Sequence, residues 1–261
     1  LGPRTNVLTS REAKELRALR TTKGREETGR FIAEGIRVVE DLLASHTRVS
    51  WAVTASSLED TLRGAKLVEE LGLRQIEMKV LPDREFEGLS ATEAPQGVLA
   101  VGVIPRYSLE ELSPGADRSV VLVLDAVQDP GNFGTLVRSA EALGARAVVA
   151  LPGTVDPWNP KSVRAAAGSS FRMPILELGT PEALEGLRSA GYLILGSAAE
   201  GRAVTQIRGN RVALVVGNEG AGLSASTRSM LDEVAGIPLR GRAESLNVAA
   251  AAAILLYELT R

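Results

Sequence analysis

From position 30 onward the chain alternates between short continuous apolar runs and runs with apolar residues three and four apart. The first pattern, bounded by turn residues, predicts strands, and the second predicts one buried face of a helix. RFIAE (30–34) predicts a strand, and GIRVVEDLLAS (35–45) a helix with Ile36, Val39, Leu42 and Leu43 on one face. VSWAVTA (49–55) predicts a strand, SLEDTLRGAKLVEELG (57–72) a helix stopping at Gly72, and MKVLP a short strand. LPDREFEGLS has the pattern of a short capped helix, and APQGVLAVGVI (94–104) ends this half with a buried strand.

PRYSLEELSPGADR (105–118) then places two prolines, a glycine and mixed charge between very apolar strands, the pattern of a linker. SVVLVLDAV (119–127) is nearly all apolar, as a strand buried on both faces of a parallel sheet should be. Further strands are predicted at ARAVVAL (145–151), GYLILGSA (191–198), RVALVVG (211–217) and DEVAGIPL (232–239). Helices are predicted at NFGTLVRSAEALG (132–144), PEALEGLRSAG (181–191) and SLNVAAAAAILLYEL (245–259). The expectation is an α/β protein with a smaller domain at 1–104, a linker at 105–118 and a parallel-sheet domain at 119–261.

Composition narrows the chemistry. There is no cysteine, which excludes disulfides and thiolate metal sites. His46 is the only histidine; it follows a predicted helix and is expected to be a solvated C-terminal histidine, so no metal site is expected. No apolar run approaches the roughly 20 residues that span a bilayer. No signal-peptide pattern is visible, and a cytoplasmic location is the expectation; Leu1-Gly2-Pro3 is set aside from fold reasoning. Net charge is −2, so any pull on nucleic acid must be local. Residues 1–30 hold eight basic and four acidic residues, and Lys161, Arg164 and Arg172 form a second basic cluster. A solvated amphipathic helix and an RNA-contacting arm both account for the first cluster.

Four loops carry candidate chemistry. In LDAVQDPGNFGTLVRSAEALGA (124–145), Asp129-Pro130-Gly131 predicts a tight turn and Asn132 a helix N-cap, with Arg138 two turns into the helix. In VVGNEGAGLS (215–224), glycines 217, 220 and 222 allow close approach of backbone to ligand, and Glu219 suits a cationic or mixed-charge ligand better than a phosphate. AGIPLRG (235–241) offers a third strand–loop. In AESLNVAAAAAILLYEL (243–259), Ser245 sits near a helix start as the simple cap, and Asn247 is a second polar group in the first turn. Such loops converge at the carboxyl ends of parallel strands. A dinucleotide-binding oxidoreductase is disfavoured because no early G-x-G-x-x-G is present, and a P-loop ATPase because no G-x-x-x-x-G-K-[ST] exists.

Together these segments resemble the three motifs of the SpoU/TrmH branch of the SPOUT methyltransferase superfamily. Asn132, Gly134 and Arg138 match the first; Gly217, Asn218, Glu219, Gly222 and Leu223 the second; Ile237, Pro238, Ser245, Leu246, Asn247 and Val248 the third, with Leu239 in place of the usual Met. WNPKSVRAAAGSSFRMPI (158–175) is similar to a further segment of that family. In the first half, FIAEGIRVVEDLL and TEAPQGVLAVG are similar to its N-terminal substrate-binding domain, an α/β fold related to a ribosomal protein.

The resemblance implies a parallel sheet with a deep trefoil knot, a homodimer with its site completed across the interface, and methyl transfer from S-adenosylmethionine to a ribose 2′-hydroxyl. Ribosomal RNA is the expected substrate. Transfer RNA, or a non-catalytic RNA-binding or ribosome-assembly role on the same fold, are the alternatives. The implied catalytic group is Arg138, with Asn132, Glu219, Ser245 and Asn247 around it. The implied cofactor site is Gly196, Val216, Gly217, Asn218, Gly220, Ile237, Leu239, Ser245, Leu246 and Asn247. Arg20, Lys23, Arg25, Arg30, Arg37, Lys161 and Arg164 are the expected RNA contacts.

Overall fold

The computed structural model describes all residues except 1–3, 6, 113–117, 208 and 243. It divides into two compact units, one of 1–105 with 158–171, the other of 106–157 with 172–261. The segment 158–171, expected within the second half, therefore folds with the first unit.

The first unit contains β1 (Arg4–Thr5), α1 (Ser10–Ala18), α2 (Thr22–Thr28), β2 (Arg30–Glu34), α3 (Ile36–Leu43), β3 (Val49–Ala55), α4 (Leu62–Leu73), β4 (Glu77–Leu81), α5 (Asp83–Glu87) and β5 (Val98–Val103). Its five-stranded sheet runs β1-β4-β3-β5-β2, with β5 antiparallel to both neighbours. The helix expected over 57–72 is split: a 3₁₀ turn covers Ser56–Asp60 and α4 begins after Thr61, whose hydroxyl caps it. A threonine with β-region backbone ends one element and starts the next better than it continues a helix. Phe31 anchors the core on the face that receives 158–171, which includes α7 (Pro160–Ala165). Its ring lies 4.7 Å from that of Trp158 and 5.7 Å from that of Phe171.

The second unit contains β6 (Ser119–Leu124), α6 (Pro130–Ala142), β7 (Ala147–Ala150), β8 (Ile175–Glu177), α8 (Thr180–Ser189), β9 (Leu193–Ala203), β10 (Arg211–Val216), α9 (Ala225–Arg228), β11 (Glu233–Gly236) and α10 (Val248–Thr260). Its six strands are all parallel, in the order β11-β9-β10-β6-β7-β8. The chain leaves β6 toward β7 on one side and reaches β10 on the other, so a topological switch point lies between β6 and β10. Ligands bind beyond the carboxyl ends of strands at such points. Residues 113–117 of the expected linker lie outside the described residues, but Tyr107, Leu109 and Leu112 pack on the core of this unit. Among the described residues no helix is long and apolar enough to cross a membrane, and no group of three potential metal ligands occurs. His46 is exposed.

Candidate active site

The loops after β6 and β10 are tied together at the switch point. The buried Asp125 accepts from the Ser224 amide at 2.7 Å, and Asn218 Nδ2 donates to the Ala126 carbonyl at 2.9 Å. Ala126 holds a left-handed φ of 58°, which turns the chain toward α6. The N-cap of α6 is Asp129, not Asn132: its Oδ1 accepts from the Asn132 amide at 2.7 Å, and Pro130 fills the first helical position. Aspartate caps as well as asparagine, and proline suits a site whose amide has no helical partner. Asn132, one turn inside, is thereby free for another task. Its Nδ2 donates to Glu219 Oε1 at 3.0 Å, and its Oδ1 accepts from Asn247 Nδ2 at 3.0 Å.

Glu219 also faces the amides of Gln128 and Asp129 at 3.5 and 3.4 Å. Burial pushes its carboxyl up, but the hydrogen bonds from Asn132 and the backbone amides outweigh that and hold it below the usual carboxylate range. Asn247 is the N-cap of α10, accepting from Ala249 and Ala250 at 2.9 and 3.3 Å; Ser245, the cap expected from sequence, is exposed two residues earlier. One asparagine thus caps α10 through its oxygen and joins α6 through its nitrogen. That double use explains a second polar group at the start of an apolar helix.

Beside this network lies a cavity of about 560 Å³. The glycines of the β10 loop shape one wall: a Cβ on Gly217 would come within 2.3 Å of the Gly222 carbonyl carbon, and Gly222 has φ +69°. Asn218 Oδ1 accepts from Gly220 and Ala221, both at 3.0 Å, which fixes the turn. A second wall comes from β9. Opposite a single step of β11 from Val234 to Ala235, β9 advances from Gly196 to Arg202, and 197–201 loops out. Ser197, Ala198 and Ala199 from that excursion line the cavity, a contribution that the apolar run 191–198 does not signal. The third wall is the loop 237–246.

Of the residues expected to hold the cofactor, Val216, Gly217, Asn218, Gly220, Ile237, Leu239, Ser245 and Leu246 line the cavity. Gly196 and Asn247 are not on its wall. A Cβ on Gly196 would sit 2.5 Å from Leu231, so that glycine serves strand packing, and Asn247 serves the asparagine network. Glu244 lines the cavity beside Glu219, so two acids face it. A mostly polar slot of glycine backbone and hydroxyls, with Val216, Ile237, Leu239 and Leu246 as its apolar patches and carboxylates at its edge, fits a flat heterocycle joined to a sulfonium and an ammonium, and the volume lies within the range of cofactor sites. Arg138 is not on the wall. It is exposed on α6 and forms no hydrogen bond or ion pair with another described residue; Glu219 is engaged by Asn132 instead.

The expected RNA contacts divide. Arg25 is only 2% exposed and donates to the Leu19 carbonyl at 2.7 Å, so it braces the turn between α1 and α2 rather than facing RNA. Arg30 pairs with Glu15 at 2.6 Å, and Arg20 donates to the Leu89 carbonyl. Lys23, Arg37 and Lys161 are exposed, with Lys23 3.8 Å from Glu27. Arg164 Nη1 lies 4.0 Å from the buried Glu34.

The SpoU rRNA Methylase family model matches residues 119–257, which contain every wall of this cavity. The chain belongs to the SpoU rRNA methylase family. Its first unit matches the MRM3-like substrate binding domain over residues 11–100. The chain is 37% identical to the 23S rRNA (guanosine(2553)-2′-O)-methyltransferase RlmP of Bacillus subtilis over 252 residues, 96% of each chain. It is 32% identical to the 23S rRNA (uridine(2479)-2′-O)-methyltransferase of Streptomyces viridochromogenes, covering 99% of this chain and 93% of that one. The crystal structure of an AdoMet-bound rRNA methyltransferase from Sinorhizobium meliloti superposes with a TM-score of 0.84 at 30% identity, covering 98% of this chain and 96% of that one.

Proposed function

We infer that this SpoU methylase transfers a methyl group from S-adenosylmethionine to a ribose 2′-hydroxyl of ribosomal RNA. The observation that carries this is the glycine-walled, acid-edged cavity at the switch point, in a chain that matches such enzymes along nearly its whole length. Backbone near Gly217, Ile237 and Leu246 holds the cofactor. When bound, the cofactor supplies an electrophilic methyl on a sulfonium. The chain's own task is to align the hydroxyl, keep water out and stabilise the oxygen as it loses its proton.

Arg138 is the group assigned to that oxygen. A guanidinium stays protonated and only donates, so Arg138 positions the neighbouring phosphate and stabilises alkoxide character rather than acting as a base. Because Arg138 stands off the cavity of its own chain, a second copy must bring its arginine to the site. α6 packs on α10, whose outward Ile254 and Tyr257 are 43% and 54% exposed and offer an apolar face for that second copy. Glu219, Asn132 and Asn247 form the rigid floor on which the cofactor loop rests, with Ser245 at its edge. The homodimer, the knotted threading of the C-terminal segment and a cytoplasmic location belong to the same reading. Lys23, Arg37, Lys161 and Arg164 bring RNA to the site by phosphate contacts.

Incubating the protein with labelled S-adenosylmethionine and either unmodified 23S rRNA or bulk transfer RNA tests this reading. Label in the ribosomal RNA alone is expected. Label in transfer RNA alone, or in neither while the cofactor binds, contradicts it.

A further inference from the structure

The loop 237–246 sorts its charges by face. Leu239, Gly241 and Glu244 line the cavity, whereas Arg240 and Arg242, alternating with them, are exposed and off its wall. Neither arginine makes a hydrogen bond or ion pair with another described residue. Other arginines of this unit are engaged by acids: Arg172 with Glu141 at 2.5 Å, Arg188 with Asp232 at 2.9 Å, Arg202 with Glu233 at 3.2 Å, Arg261 with Glu258 at 2.6 Å. The same short loop therefore presents an acid to the cavity and two uncommitted guanidinium groups to the outside.

We propose that Arg240 and Arg242 clamp two phosphates of the RNA at the rim of the cofactor cavity. The proposal rests on the 2′-O-methyltransferase reading and extends it to two residues that lie within the span of the third motif but are not among its matched positions. A guanidinium fork matches phosphate oxygens in two-pronged geometry, and these two have no internal ion pair to break first. Contacts of this kind fix the register of the strand and carry no base information. Their placement gives them a second consequence. The arginines extend from the backbone whose Leu239 and Gly241 form the cavity wall, so gripping RNA also holds that wall against the cofactor. Cofactor and RNA then strengthen each other's binding by the same factor.

The test is binding of a 23S rRNA transcript to wild-type protein, R240A/R242A and R240K/R242K across salt from about 50 to 200 mM, with cofactor affinity measured alongside. The alanine pair should bind RNA about tenfold more weakly, with a salt slope shallower by about 1.4 to 1.8, the loss expected for two phosphates. Its cofactor affinity without RNA should stay within about twofold of wild type, because neither side chain touches the cavity. The lysine pair should keep most of the slope, since its point charges remain while the fork is lost. Wild-type RNA affinity and slope in the alanine pair overturn the clamp while leaving the methyltransferase reading standing. So does an equal loss of cofactor and RNA affinity, which would make the arginines merely structural. Wild-type protein that binds no ribosomal RNA overturns the clamp together with the reading on which it rests.

Discussion

Arg138 is the residue whose chemistry and position separate most clearly. It is free, exposed and always charged, yet it lies on α6 away from the cavity wall. Arg138→Ala should abolish methyl transfer while leaving cofactor affinity nearly unchanged, as read by turnover and calorimetry; loss of both together would assign it to the fold instead. Glu219 makes a pH prediction. Its carboxyl is held below the usual range in the folded protein, so the stability it contributes is present above its ordinary value near 4.5 and drains as pH falls through the lowered folded value. Cofactor affinity should therefore hold from neutral pH past 4.5 and fall only as the lowered folded value is crossed. In Glu219→Gln that acid limb should vanish and affinity should be lower throughout, because whichever oxygen becomes an amide nitrogen would face a donor, Gln128 N at Oε2 or Asp129 N and Asn132 Nδ2 at Oε1. Asn247→Ala removes the α10 cap, about 1 kcal/mol, and also the hydrogen bond that joins α10 to Asn132 on α6. Thermal denaturation should show a larger loss than for a cap alone. The candidate residues were legible as polar groups beside glycines, but the caps were not. Asp129 and Asn132, or Ser245 and Asn247, are equally good capping types, and only backbone geometry decides between neighbours.

At the level of elements, the central strands β6, β7 and β10 of the second sheet could be read directly, because each is a short apolar run buried on both faces, whereas the three-residue edge strand β8, with Glu177 exposed, is too short to leave such a pattern. What could not be read is the excursion of 197–201 from β9. Its cause is a register shift against a strand more than thirty residues away, which leaves no local pattern. The contact that bars a side chain at Gly201 is equally non-local: a Cβ there would come within 2.3 Å of the Ala235 carbonyl carbon. Gly217→Ala would drive a methyl into backbone that cannot yield. It should eliminate cofactor binding while the first unit keeps its own unfolding transition; binding within about twofold of wild type would contradict the wall described above.

For the whole molecule, the division into units does not follow chain order. Trp158, Val163 and Phe171 come from the middle of the second half, yet they complete the core around Phe31. Their apolar character was visible in the sequence; the partner was not, since it lies more than a hundred residues upstream. Trp158→Ala should cost about 3 to 5 kcal/mol, seen as loss of the first unit's transition in denaturant. A fragment of residues 106–261 should bind an apolar dye, because this segment has lost its core, and dye binding no greater than that of the full chain would count against the division. The first unit's core thus depends on a segment supplied from within the second half of the chain, although each unit is compact by itself.

The most direct test of the central claim is the chemical position of the transferred methyl. Ribosomal RNA labelled by the protein from radioactive S-adenosylmethionine would be hydrolysed in alkali and its products resolved. A ribose 2′-O-methyl blocks cleavage of the adjacent phosphodiester, so the account predicts all label in a single alkali-resistant dinucleotide. Label released in ordinary mononucleotides would place the methyl on a base and contradict it.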